Sequence, residues 1–191
     1  MVLKRLNNSK HSILLHCCCG ICAGYPIEKF VTEGETPLAF FSNDNIDTLE
    51  EFNRRVDAFI MVCEHYDVDY IVDDYNPEEY LTRIRGLENE PERGGRCIEC
   101  ISLRLEKTAE KARLLGITCF TTSLVISPHK NFEKISAIGS ELAIKNNLKY
   151  LAINFKKQDG FLKTNQIAKS LGLYRQNYCG CKFAKGHLGE V

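Results

Sequence analysis

Residues 12–22 read Ser12-Ile13-Leu14-Leu15-His16-Cys17-Cys18-Cys19-Gly20-Ile21-Cys22. A short apolar run leads into a glycine, the pattern of a buried strand (residues 12–17) turning into a helix expected over residues 20–32. In an open α/β sheet, ligands bind at such a junction, beyond the carboxyl end of a strand. Phosphate-binding loops built there use glycine, serine and lysine. Here the junction carries four cysteines and a histidine, so soft sulfur ligands replace backbone donors. The chain contains neither a Walker loop nor a Ser-Gly-Gly-x-Asp-Ser nucleotide loop, which argues against ATP chemistry.

Outward from this stretch, apolar runs and apolar stripes alternate. Residues 36–41 predict a second strand, and residues 47–66 predict the clearest helix. In that helix Leu49, Phe52, Val56, Phe59, Ile60, Cys63 and Tyr66 recur at three- and four-residue steps on one face. A strand over residues 70–72, a helix opening at Pro77 and a polar loop holding Pro91, Gly94 and Gly95 follow. A helix from Cys97 runs on Ile98, Ile101, Leu105, Ala109, Ala112 and Leu115 until Gly116 ends it. Residues 118–122 and 149–153 predict strands, and residues 131–146 and 164–171 predict helices. Strands alternating with helices imply one α/β domain over residues 1–191, with a mostly parallel sheet and helices on both faces.

At 191 residues the chain is long enough to form a core without covalent staples. It has no apolar run long enough to span a membrane, and no secretory signal is evident, so a reducing, cytoplasmic compartment is expected. The formal charge is zero, from 25 basic and 25 acidic residues, which excludes a uniformly basic nucleic-acid coat. The charge is unevenly spread. Residues 44–79 hold twelve acidic and two basic side chains, whereas residues 151–191 hold seven basic and two acidic ones. Solvated helix faces account for both stretches in the plainest reading. The basic segment also carries Phe155, Phe161, Tyr174 and Tyr178, a mixture suited to a phosphate backbone with a base to stack.

The ten cysteines are the unusual feature of the composition. Eight fall in three groups: Cys17, Cys18, Cys19 and Cys22; Cys97 and Cys100; Cys179 and Cys181. In a reducing compartment such groups are metal ligands or redox thiols rather than structural disulfides. Cys97 and Cys100 open a helix after Arg93, Gly94, Gly95 and Arg96, where the helix dipole and the arginines favour thiolates. Two adjacent cysteines plus a distant C-x-x-C can hold zinc or a [4Fe–4S] cluster, and spacing alone does not choose between them. Cys63 on the apolar stripe and Cys119 inside a strand are expected in the core. His16 reads as a packed strand residue and His129 as a loop residue.

Several stretches together resemble the cobalamin-independent epoxyqueuosine reductases of the QueH family. They are residues 15–22; Phe41-Ser42-Asn43-Asp44-Asn45-Ile46; Gly95-Arg96-Cys97-Ile98-Glu99-Cys100; Phe120-Thr121-Thr122-Ser123-Leu124 with Ser127-Pro128; and Leu173-Tyr174-Arg175-Gln176-Asn177-Tyr178-Cys179-Gly180-Cys181. They occur in family order over residues 12–183. The resemblance implies a Rossmann-like domain, similar to the adenine-nucleotide-hydrolase-like folds but without their ATP loop. It also implies reduction of the epoxide of epoxyqueuosine, at the wobble position of tRNA, to the alkene of queuosine with loss of water.

The family pattern maps onto Cys18, Cys19 and Cys22, and Cys17 occupies a position that is not usually cysteine. The implied [4Fe–4S] ligands are Cys18, Cys19, Cys97 and Cys100, and the implied redox-active pair is Cys179 and Cys181. Asp44 departs from the family, which usually has proline there. A second, mononuclear iron is a further expectation, with Cys22, Cys179, Cys181 and Asp44 as its candidate ligands. Tyr178 is the candidate substrate contact, and Arg175, Lys182 and Lys185 are the candidate tRNA contacts. The implied partners are tRNA and an unidentified electron donor, with no membrane, no ATP and no cobalamin. The C-x-x-C-x-x-C-x-x-x-C-P spacing of two-cluster ferredoxins is absent. Two other classes fit the thiols alone: a thiol–disulfide or electron-transfer protein without a nucleic-acid substrate, and a zinc-stabilised binding module.

Overall fold

The computed structural model describes residues 4–7 and 10–187, without the side chains of 185–187. In chain order the elements are β1 (Lys4–Arg5), β2 (Ile13–Cys17), α1 (Gly20–Thr32), β3 (Pro37–Phe41), α2 (Leu49–His65), β4 (Tyr70–Val72), α3 (Pro77–Arg83) and α4 (Gly95–Leu114). They continue with β5 (Cys119–Thr122), a 3-10 turn (Ser123–Ile126), α5 (Phe132–Asn146), β6 (Lys149–Tyr150), α6 (Gly160–Ser170) and a second 3-10 turn (Lys182–His187).

The sheet order is β1-β4-β3-β2-β5-β6. All neighbours pair parallel except the β1 edge, which runs antiparallel to β4. Among the parallel strands, β2 is the first and lies at the centre. The chain steps outward through β3 and β4, then crosses to the other side of β2 for β5 and β6. This is the Rossmann order, and its topological switch point lies between β2 and β5. Right-handed crossovers put α1 and α2 on one face and α4 and α5 on the other. The packing agrees: α1 meets α2 and α6, while α4 meets α3 and α5.

The central strands β2 and β3 are buried at all five positions each, as expected of parallel strands covered on both faces. Phe41 packs edge-on against Phe52 and tilted against Phe59, and Phe59 in turn meets Tyr70. The apolar stripe of α2 thereby closes on the sheet. Thr48 caps α2 through its side chain, accepting from the Glu51 N–H, with Glu50 and Glu51 in the first turn. Helix α1 has no acidic first turn. Its cap is Cys19, whose sulfur accepts from the Cys22 N–H, so the cap is itself one of the clustered thiols. Gly20 sits where α1 crosses α2 most closely: a Cβ there would lie 2.4 Å from the Ala58 carbonyl oxygen.

His16 ties three strands together directly beneath the cysteine loop. Its Nε2–H donates to the Ser42 carbonyl beyond β3, and the Thr122 hydroxyl of β5 donates to its Nδ1. A carbonyl can only accept, so these bonds fix one neutral tautomer. Burial, with the Arg104 charge behind it, lowers the His16 pKa to about 4.

The differences from the sequence expectation lie at element ends. β6 covers only Lys149–Tyr150, because the chain turns at once and the Ile153 N–H reaches the Leu151 carbonyl. Helix α6 starts at Gly160 rather than 164: Phe161 and Leu162 in its first turn are exposed, so the apolar stripe begins only later. β1 is two residues long, too short for a periodic signal. None of the described helices is long and apolar enough to cross a membrane.

Two expectations follow for stability. Gly20→Ala forces α1 away from α2 and costs about 2 kcal/mol, a fall in Tm of about 4–8 °C for a chain of this size; an unchanged thermal midpoint would show that the helices do not approach so closely. The unfolded His16 ring takes up a proton near pH 6.5 and the folded one only near pH 4. Stability of the metal-free protein therefore drops as pH falls through that window, by up to about 3 kcal/mol from this group. Urea midpoints should decline less steeply between pH 7 and 4.5 in His16→Gln than in the parent chain.

Candidate metal centre

The switch point gathers side chains from five segments. Strand β2 ends on Cys17, the turn after it carries Cys18 and the helix cap Cys19, and the first turn of α1 delivers Cys22. The sulfurs of Cys18, Cys19 and Cys22 lie within 4.8 Å of one another, a three-thiol group able to hold a metal ion. Cys17 does not join them; its thiol is buried and donates to the Leu15 carbonyl, and burial pushes its pKa up. Cys63 is also buried with a raised pKa, as expected of a core residue, while Cys119 is half-buried at the start of β5.

Within the three-thiol group the charge is shared unequally. The Cys19 and Cys22 thiols hydrogen-bond to Cys18 and hold it well below the ordinary thiol range, with His16 and Arg104 adding to the effect against burial. The same bonds push Cys19 up to about 12 and raise Cys22. Further donors close the group. The Gln176 side-chain amide lies 2.9 Å from the Cys19 sulfur, and the Ser123 hydroxyl lies 3.8 Å from that of Cys18.

Cys97 and Cys100 stand at the start of α4 and are not part of that three-thiol group. The Arg93 backbone N–H donates to the Cys97 sulfur at 3.2 Å, with Arg93 itself in the left-handed region. Burial pushes the Cys100 thiol up, and Arg104 opposes this. Cys179 and Cys181 face this second group from the C-terminal segment. A hydrogen bond from Cys181 lowers Cys179 to about 5, and Cys181 is correspondingly raised. The Tyr80 hydroxyl lies 3.0 Å from the Cys181 sulfur.

Arg104 joins the two groups. It is 5% exposed, and it donates to the Cys100 carbonyl, the Cys100 sulfur at 3.2 Å and Asn43 Oδ1. Burial works against its charge, but the thiols of Cys100, Cys18 and Cys179 outweigh that and raise its pKa. A buried cation facing thiols favours thiolate, the metal-binding form. The donor set therefore suits a soft or borderline metal.

The loop holding Cys179 is pinned through its carbonyls. Arg55, 3% exposed and paired with Glu51, donates to the carbonyls of Tyr178 and Cys179, each at 3.1 Å. Asn45 donates to the Cys179 carbonyl and the Asp47 N–H to that of Gly180. Gly180 adopts φ +101° against Arg55 and Ile46, a conformation that strains any side chain and a contact that would crowd one.

The other predicted site residues fall as follows. Asp44 is buried and faces Lys107, 2.5 Å away, and the Asn76 N–H rather than the clustered thiols; burial raises its pKa against the pull of Lys107. The Tyr178 hydroxyl donates to Asp47, and its ring lies under Arg55. Arg175 is bonded to Asn165 at the surface, and the exposed Lys182 lies over the Phe183 ring. The Lys185 side chain lies outside the described residues. Sequence reasoning missed Arg104, Arg55, Tyr80 and Ser123. Each acts through a side chain brought from a distant segment; Ser123 and Gln176 already lay within quoted motifs, but no role was assigned to them.

An α/β domain whose switch point carries converging thiols in place of a nucleotide loop defines a cysteine-based metal or redox protein. The family model described as Epoxyqueuosine reductase QueH matches residues 13–187. The epoxyqueuosine reductase QueH of Streptococcus pyogenes serotype M1 is 38% identical over 179 residues, covering 91% of this chain and 70% of that protein. That of Thermotoga maritima is 35% identical over 176 residues, covering 91% of this chain and 90% of that protein. The chain belongs to the epoxyqueuosine reductase QueH family, and it is an enzyme, an oxidoreductase. Among solved structures, NMN synthetase from Francisella tularensis shares the fold, with TM-score 0.52 and 11% identity over 92% of this chain and 69% of that one.

Arg104 generates the test of this geometry. Arg104→Gln removes the buried cation and is expected to lower metal affinity by about 10–100-fold. Arg104→Lys keeps the charge and loses less. Metal titration followed by absorbance, with circular dichroism to verify folding, separates the two; equal affinity in all three proteins would show that the thiols do not depend on this charge.

Proposed function

We propose that this enzyme reduces epoxyqueuosine in the anticodon of tRNA to queuosine. The observation that carries the proposal is the convergence of polarised thiols around one buried arginine, within a chain of the QueH family. Removing the epoxide oxygen takes two electrons and two protons and releases water. A [4Fe–4S] cluster on Cys18, Cys19, Cys97 and Cys100, with or without a mononuclear iron on Cys22, Cys179 or Cys181, would supply one-electron transfer and Lewis acidity toward the epoxide oxygen.

The chain's own thiols can balance the reaction. Cys179 and Cys181, as a thiolate and a thiol, hold two electrons and one proton, and solvent water supplies the second proton. When their S–S bond forms, both C–O bonds of the epoxide break, the oxygen leaves as water and the alkene remains. A C-x-C disulfide is strained and therefore oxidising, so an external thiol or low-potential electron donor must restore the dithiol. The polarisation of the pair suits this role, since Cys179 carries the charge and Cys181 keeps its proton beside the Tyr80 hydroxyl. Arg55 and Asn45 hold the Cys179 carbonyl and so fix where that sulfur stands. Tyr178 on the same loop is proposed to contact the substrate, and Arg175, Lys182 and Lys185 to contact tRNA.

The experiment is anaerobic reconstitution with iron and sulfide, followed by incubation with epoxyqueuosine tRNA, a reductant and mass spectrometry of the nucleoside. Loss of one oxygen is expected, with about four irons per chain for a cluster alone and about five with a mononuclear iron. Cys18→Ala and Cys97→Ala should lose iron and turnover. Cys179→Ala should keep the cluster and lose turnover. Full activity in all three would overturn both the cluster and the redox-pair assignments. Zinc in place of iron, with no oxygen loss, would favour the binding module. The polarised C-x-C pair also suits thiol–disulfide exchange, which would show as disulfide turnover without oxygen loss.

A further inference from the structure

A cavity of about 450 Å3 among the described residues takes only Asn154 and Lys156 from the basic C-terminal segment. It lies between the start of α4, the loop after β5 and the first turn of α5. Cys97 forms part of its wall, so it opens directly on the second thiol group. Its charge departs from the balance of the whole chain: Arg93, Lys130, Lys134 and Lys156 line it against a single carboxylate, Glu133. The first turn of α5 contributes the positive end of a helix dipole to the same wall. Phe132 in that turn is only partly buried and presents an aromatic ring.

The cations are held in place. Lys156 donates to the Lys130 carbonyl at 2.6 Å, which fixes one ammonium beside the other residue's backbone and leaves it further N–H donors. Lys130 is close enough to the thiols to act electrostatically on both Cys100 and Cys179. On the other wall Arg93 spans the gap. Its backbone N–H is on the Cys97 sulfur and its guanidinium donates to His129 Nδ1, which leaves the neutral His129 ring with its proton on Nε2.

We propose that this cavity receives the nucleotide to be reduced, with its phosphate on Lys130 and Lys156, its base against Phe132 and its reactive substituent directed toward Cys97. The assignment rests on the reductase reading for the identity of the nucleotide, and on the cavity alone for the chemistry of the ligand, a ribonucleotide within an RNA strand. The volume falls in the range of small-ligand pockets, roughly 300–1,000 Å3. Phosphate contacts from lysine with stacking on an aromatic ring are the means by which single-stranded RNA is held.

The test measures RNA binding separately from turnover. An unmodified anticodon stem-loop is titrated against the reconstituted enzyme at several salt concentrations, with Lys130→Gln, Lys156→Gln and Phe132→Leu as variants. Each lysine change should weaken binding roughly tenfold and lower the salt slope by about one. Phe132→Leu should weaken binding without changing the slope. On epoxyqueuosine tRNA all three should raise KM more than they lower kcat, at unchanged iron content. Should Lys130→Gln also lose iron, Lys156→Gln and Phe132→Leu decide the matter. Unchanged affinity and slope in those variants, or no binding of the stem-loop by the parent enzyme, would overturn the inference. Normal turnover beside that result leaves the reductase reading standing. Weakened binding in the variants, with no oxygen loss catalysed by the parent enzyme, supports the cavity as an RNA site and removes the reductase reading.

Discussion

A full positive charge buried among sulfurs is the constraint on which the site depends. Among the described residues, the hydrogen bonds of the Arg104 side chain go to the Cys100 carbonyl, the Cys100 sulfur and Asn43, and none goes to a carboxylate. Moving an unpaired guanidinium out of water costs several kcal/mol, so the fold must place negative charge close by. The groups that stabilise the cation are Cys100, Cys18 and Cys179, one from each cysteine group. The same residue reaches the sheet through Asn43, whose amide donates to the Cys17 carbonyl at the end of β2. One side chain on α4 thus sets the distance between the helix, the central strand and all three sets of thiols.

A second buried arginine does for the C-terminal segment what the sheet does for the rest. Arg55 on α2 is neutralised by Glu51 one turn earlier and spends its remaining donors on the carbonyls of Tyr178 and Cys179. Glu51 also accepts from the Tyr174 hydroxyl, so the motif from Tyr174 to Cys181 is anchored at both ends. This accounts for the glycine between the two cysteines: a side chain at Gly180 would press on the guanidinium that holds the loop. The acidic stretch over residues 44–79 takes on a structural meaning too. Asp44 and Glu79 pair with Lys107, and Asp73 approaches Lys111, so part of that negative charge binds α4 to α3 and to the segments that follow β3 and β4.

The strand-to-helix alternation was legible because buried parallel strands and amphipathic helices leave strong periodic signals. The bounds of α1, β4 and the start of α3 follow directly from local residues: Gly20, a β-branched apolar pair and Pro77. What escaped were elements without a period, such as the two-residue β1 and the exposed first turn of α6. At the site, the cysteines were legible as three groups because their clustering is local. Their arrangement was not. Nothing in the spacing shows that Cys22 folds back onto Cys18 and Cys19, since that depends on Cys19 acting as the cap of α1. Nor does spacing show that Asp44 turns to Lys107, a partner sixty-three positions along the chain. Arg104 is hidden for the same reason: in sequence it is one more cation on an amphipathic helix.

The two thiol groups share one electrostatic logic. In each, a single sulfur carries the charge while its neighbours keep their protons and donate to it: Cys18 between Cys19 and Cys22, and Cys179 beside Cys181. One buried arginine cannot balance every cysteine as a thiolate, and the protein settles on one lowered thiol in each of these sets. A metal bound there must take over charge compensation from those protons, and its binding releases them. The protonated partner in the C-x-C pair has a different use. Cys181 shares a short hydrogen bond with Tyr80, a buried phenol whose own pKa is raised by burial and by the thiols beside it. In the proposed reaction, a proton held between these two groups would stay with the pair until electrons leave it, so that proton and electron delivery would be coupled at the same sulfurs.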